Sequence, residues 1–91
     1  MTDKKMSPGE VEHLRRRAQE MLDDYTRHEK FDFHLKVLEE YDWLDGSLQL
    51  VAVPDRDGVP VDEYVEALLA VDRKLRRLES AQVLLVPALV D

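Results

Sequence analysis

The row Val11, Leu14, Ala18, Met21, Tyr25 and His28 repeats at alternating spacings of three and four, with Leu22 widening the stripe. That period belongs to an amphipathic helix and predicts one over residues 8–29. Ser7-Pro8-Gly9-Glu10 supplies its start: a capping serine, a proline suited to the first turn, and a glutamate placed to close a capping box. The period then changes. Phe31, Phe33, Leu35 and Val37 alternate with Asp32, His34 and Lys36, which predicts a half-buried strand from 31 to about 38. The same stretch also admits a helical row through Phe31, Leu35 and Leu38, and the pattern leaves Tyr41 to Leu44 unassigned.

Asp45-Gly46 suits a tight hairpin turn and leads into SLQLVAV, a second strand over 47–53. After the turn residues Pro54 to Gly58, Val61, Tyr64, Leu68, Val71, Leu75 and Leu78 restore the helical period to about Glu79, with Val65 and Leu69 broadening the face. Pro60 opens this helix, and Asp62 and Glu63 suit its positive N-terminal end. Gln82 to Val90 then predict a last strand. The order helix–strand–strand–helix–strand implies an α+β two-layer sandwich, two helices on a small three-stranded sheet that an oligomer could extend. Residues 1–6 are expected to be a disordered tail and 7–91 a single domain. This order resembles that of several small two-layer folds, the KH domains among them, but the glycine loop those domains use is absent.

The final stretch, AQVLLVPALVD, is apolar at both alternating sets of positions. Since the hairpin keeps the first two strands adjacent, the third is expected at an edge. One of the sets Val83, Leu85, Leu89 or Leu84, Val86, Val90 packs under the helices, and the other faces outward. Exposing three such side chains forgoes roughly 4–9 kcal/mol, against a total stability of about 5–15 kcal/mol for an ordinary domain. Either the segment carrying Tyr41, Trp43 and Leu44 folds over that face, or another chain covers it by sheet extension or face-to-face packing. Pro87, lacking an N–H, restricts a continuous ladder there.

Composition narrows the chemistry. The 91 residues include no cysteine, which removes disulfides and thiolate chemistry. The N-terminus has no signal-peptide core and no segment approaches membrane-spanning length, so a cytoplasmic protein is expected, with no membrane contact. The net charge of −7 is concentrated between Glu39 and Glu66, where nine carboxylates face the single base Arg56. This balance opposes nucleic-acid binding. The basic clusters Arg15–Arg17 and Arg73–Arg77 have structural explanations in helix pairing and the helix dipole.

Asp55, Asp57, Glu63 and Glu66 echo a calcium loop, but Val59 and Pro60 stand where it needs an oxygen ligand and a glycine. His13, His28 and His34 have no metal-ligand spacing, no serine lies on a glycine-rich elbow, and the three glycines form no phosphate loop. The expectation is therefore a non-catalytic interaction module, an adaptor or regulatory subunit without cofactor or metal. It would act as a homodimer or with a partner protein, through Leu84, Val86 and Val90, with Tyr41 and Trp43 as aromatic anchors. The alternative is an acidic inhibitor, of the immunity or nucleic-acid-mimic type, presenting Asp55, Asp57, Asp62, Glu63 and Glu66 to a basic site.

Overall fold

A computed structural model describes residues 7–79 and 82–88. Its elements follow the order read from the sequence: α1 (Pro8–His28), β1 (Leu35–Leu44), β2 (Ser47–Pro54), α2 (Val61–Glu79) and β3 (Val83–Pro87). Both helices pack on one face of a mixed sheet ordered β1-β2-β3, with β1 antiparallel and β3 parallel to the central β2. The fold is α+β, as the hydrophobic pattern implied. The N-terminal tail, and Leu89 and Val90 of the expected last strand, lie outside the described residues.

Helix α1 begins with the capping box. The Ser7 hydroxyl accepts from the Glu10 N–H, and the Glu10 carboxylate accepts from the Ser7 N–H at 2.9 Å. It ends in a Schellman turn: Lys30 N–H donates to the Arg27 carbonyl and Phe31 N–H to the Thr26 carbonyl. Lys30 takes the left-handed conformation there (φ 59°), a position where glycine is usual.

β1 starts later than the alternation alone predicted. Leu35 is the first strand residue, opposite Pro54, and beyond the bond from the Asp55 N–H to the His34 carbonyl at 2.9 Å the two strands part, so residues 31–33 have no ladder to join. Their alternation still governs burial. Phe33 is fully enclosed, while Phe31 stacks on it at 5.1 Å and meets Tyr25 edge-on at 5.9 Å. Tyr41 to Leu44, unassigned from the sequence, complete β1. Asp45 and Gly46, both at positive φ (52° and 80°), form the two-residue turn between Leu44 and Ser47.

The core takes alternate residues from each strand. Leu35 and Val37, then Leu48, Leu50 and Ala52, then Val83 and Leu85 meet Leu14, Ala18, Leu22, Tyr64, Leu68, Val71 and Leu75 from the helices. The helical face of α2 is narrower than the sequence suggested. Val61, Leu69 and Leu78, read as part of its buried stripe, are each more than half exposed. Three strands span only about 10 Å between the outer strand axes, so two helices side by side seat one narrow stripe each.

Candidate functional site

The parity of the strands decides where the outward residues stand. Val83 and Leu85 are buried beneath the helices, whereas Leu84 and Val86 turn to the opposite face and stay partly exposed. Leu84 lies beside Gln49 and Val86 beside Val51, and on the other flank of β2 Val53 lies beside Lys36. Leu38, Glu40, Tyr41, Asp42, Gln49 and Val51 line a shallow open depression of about 280 Å³ on this face. The centre of the outer face is therefore aliphatic, made of Leu38, Val51, Val53, Leu84 and Val86, all half-buried. Both helices lie against the opposite face.

Residues 39–44 do not fold across β3. They belong to β1, separated from β3 by β2. Between Val37 and Tyr41 the register slips, so that Leu38–Glu40 stand against Val51 alone. The two extra residues restore parity and set Tyr41 opposite Leu50 and Trp43 opposite Leu48, in line with the core face. Trp43 accordingly packs against the core, with Tyr41, 44% exposed, meeting it edge-on at 6.2 Å. Trp43, grouped from the sequence with Leu84 and Val86 as one contact surface, thus stands on the other side of the sheet, while Tyr41 at its margin also reaches the outer depression.

The acidic residues serve several local purposes. Asp55 accepts from the His34 N–H at 3.3 Å, and Glu66 accepts from the Tyr25 hydroxyl at 3.3 Å. Asp57 and Asp62 are exposed, and Glu63 is half-buried in the first turn of α2. Arg56 pairs with Asp32 at 2.8 Å. Asp45 lies at the opposite end of β2 from Asp55, Glu39 and Glu40 stand in the middle of β1, and Asp62, Glu63 and Glu66 are on α2, so the carboxylates of 39–66 are spread over the molecule. The first basic cluster is likewise engaged, Arg15 and Arg16 with Glu12 and Arg17 with Glu20 and Glu79, and in the second Arg76 pairs with Asp72. The Arg15 guanidinium, bonded to Glu12, holds that carboxyl below its ordinary value.

Two features escaped the sequence reading, because each is a polar residue on a helix that looks solvent-directed. Gln19 of α1 donates from Nε2 to the Leu35 carbonyl and accepts from the Val37 N–H, both at 2.8 Å. Asp72 of α2, only 7% exposed, accepts from the Leu85 N–H at 2.9 Å and from Arg76 at 2.7 Å. Both side chains reach the margins of the sheet. Their only sequence signal is a polar residue directly after one of the apolar stripe, Gln19 after Ala18 and Asp72 after Val71.

Among the described residues, no group of three or more histidine or acidic side chains is arranged to hold a metal ion, and no helix is long and apolar enough to cross a membrane. Compared with known proteins, the chain matches no family model, no curated protein and no solved structure at a significant level.

Proposed function

We propose that this protein is a non-catalytic interaction module that binds protein, another chain or its own copy, through the outer face of its sheet. One observation carries the reading: both helices lie on the same side, and the other side presents Leu38, Val51, Val53, Leu84 and Val86 around a polar rim. A contiguous apolar patch bordered by polar residues is the usual mark of a contact surface. Completing the burial of these partly exposed side chains stabilises a complex by up to about 1 kcal/mol each. The acidic surface of 55–66 does not support an inhibitor equally well, since Asp55 and Glu66 already serve internal hydrogen bonds.

The test is photo-crosslinking in the native cell, with a photoreactive phenylalanine analogue at position 84 and, as control, at the exposed position 16. A protein adduct from position 84 that is absent from position 16 and suppressed by Val86→Asp is expected. A folded protein giving no adduct from position 84 beyond the control would falsify the proposal.

A further inference from the structure

The hydrogen-bonding groups along the two sheet edges restrict what can occupy the outer face. In a parallel ladder, alternate residues turn both N–H and C=O toward the same neighbour. Leu48 N–H donates to the Gln82 carbonyl, so Gln82, Leu84 and Val86 address β2, and Val83, Leu85 and Pro87 address the open edge. On that edge the Leu85 N–H is taken by Asp72, and Pro87 has none to offer. On the opposite edge, Gln19 holds the Leu35 carbonyl and the Val37 N–H as a neighbouring strand would, and the Trp43 N–H donates to its neighbour Asp42 at 2.8 Å. The irregularity at Leu38–Glu40 interrupts the same edge. Each helix therefore lends a polar side chain to the edge strand beneath it. An incoming strand must displace a seated side chain at either margin, which disfavours sheet extension.

We infer that the occupant of the outer face is a second copy of this chain, stacked sheet against sheet in a helix–sheet–sheet–helix dimer. The inference rests on reading the outer face as a protein contact and adds the partner and the mode. Charge supports it. Two chains of net charge −7 repel unless the surfaces that touch are close to neutral or complementary. On the outer face the aliphatic centre is uncharged, and beside it β1 carries Lys36 and Asp42, with Glu40 lining the depression next to Asp42.

Lys36 stands level with Val53 and Asp42 level with Gln49, so the two are placed symmetrically about Val51. A two-fold axis in the plane of the interface, across the strands at the level of Val51 and Val86, brings Lys36 of each copy to Asp42 of the other. It also lays the aliphatic centres on one another. This is the self-complementarity that a symmetric dimer requires. Three strands of five to ten residues offer a flat area of about 300 Å² per copy. That is well below the roughly 800 Å² per partner of a standard complex, so the dimer is a reversible one.

Sedimentation equilibrium of the full chain from about 10 μM to 1 mM, with circular dichroism as the fold check, tests this. The native chain is expected to pass from monomer to dimer. Val86→Asp should abolish the dimer. The exposed single reversals Lys36→Asp and Asp42→Lys should each weaken it about tenfold, and the double reversal should restore it. These rim substitutions keep the test decisive even where Val86→Asp fails to fold. A native monomer throughout the range overturns the inference. So does a dimer insensitive to the reversals, or one dissolved by Leu69→Asp, which would place the contact on α2. An adduct from position 84 to a different protein, with the chain itself monomeric, would leave the contact surface standing and remove only the self-association. Absence of both adduct and dimer removes both.

Discussion

Tyr64 is the residue through which β2, α2 and the end of β3 are joined. Its ring is buried, its hydroxyl donates to the Ala52 carbonyl, and it accepts from the Ala88 N–H at 2.9 Å. Ala52 stands opposite Pro87, so the hydroxyl completes a pairing that the strands leave unfinished. Burial pushes the Tyr64 phenol above its ordinary value, against an opposing contribution from the Ala88 N–H. The phenol thus resists ionisation in the folded state, and alkaline pH above the unfolded value destabilises the fold. Tyr64→Phe keeps the ring but leaves the Ala52 carbonyl and the Ala88 N–H without this partner, which costs about 1–3 kcal/mol. Urea denaturation should show a lower midpoint with an unchanged slope. An unaltered midpoint would mean that the ring alone secures the position.

Between elements, two kinds of polar contact hold the helices in place. Asp72 fixes α2 over β3. Asp72→Ala strips the Leu85 N–H of its acceptor, with an expected loss of about 1–3 kcal/mol. It also opens the β3 edge, so light scattering should reveal assemblies larger than any the native chain forms. The second contact joins the helices at one end, where Glu79 accepts from His13 Nε2 at 3.0 Å and from Arg17 Nε at 3.2 Å. The His13 bond first, and the Arg17 bond next, hold the Glu79 carboxyl below its ordinary value of 4.5. A lowered carboxyl value gives stability that is present above the unfolded value and lost as the pH falls through the folded one. Glu79→Gln should therefore flatten the thermal stability profile between about pH 5 and pH 3. Equal acid slopes in the native and variant proteins would show that the clasp does not form in solution. Glu12, lowered by Arg15, should retain part of the slope in the variant.

At the scale of the whole molecule, the charge distribution separates the apolar contact from an acidic one. A dimer stacked on an aliphatic centre works against the mutual repulsion of two chains of net charge −7. Raising the salt from about 0.05 to 0.5 M shortens the screening length from roughly 14 to 4 Å. Dimerisation should therefore hold or strengthen as salt rises. Binding of a basic partner through Asp57, Asp62 and their neighbours would weaken over the same range. Sedimentation at the two salt concentrations checks this, and a dimer dispersed by salt would point to ionic contacts as its main support.

Much of the fold was legible because burial follows period. The three-and-four spacing from Val11 to Tyr25, the capping box at Ser7 and the Asp45-Gly46 turn are local features, and local sterics and hydrogen bonding are enough to settle them. The apolar character of both faces of the last strand was legible in the same way. Which set faced inward was not, because parity depends on the register of β3 against β2. The start of β1 was also hidden, since a strand extends only as far as its partner and Pro54 ends β2. Tyr41 and Trp43 keep the inward parity of Leu35 and Val37, since the irregularity adds two residues, so their separation from Leu84 and Val86 also follows from the register of β3. Gln19 and Asp72, polar positions on helices, acquire their meaning only when tertiary packing brings them to a sheet margin. The sequence by itself determined the elements and the apolar surplus. Tertiary structure decided which side chains close the edges and which face remains open, because both depend on contacts between residues far apart in the chain.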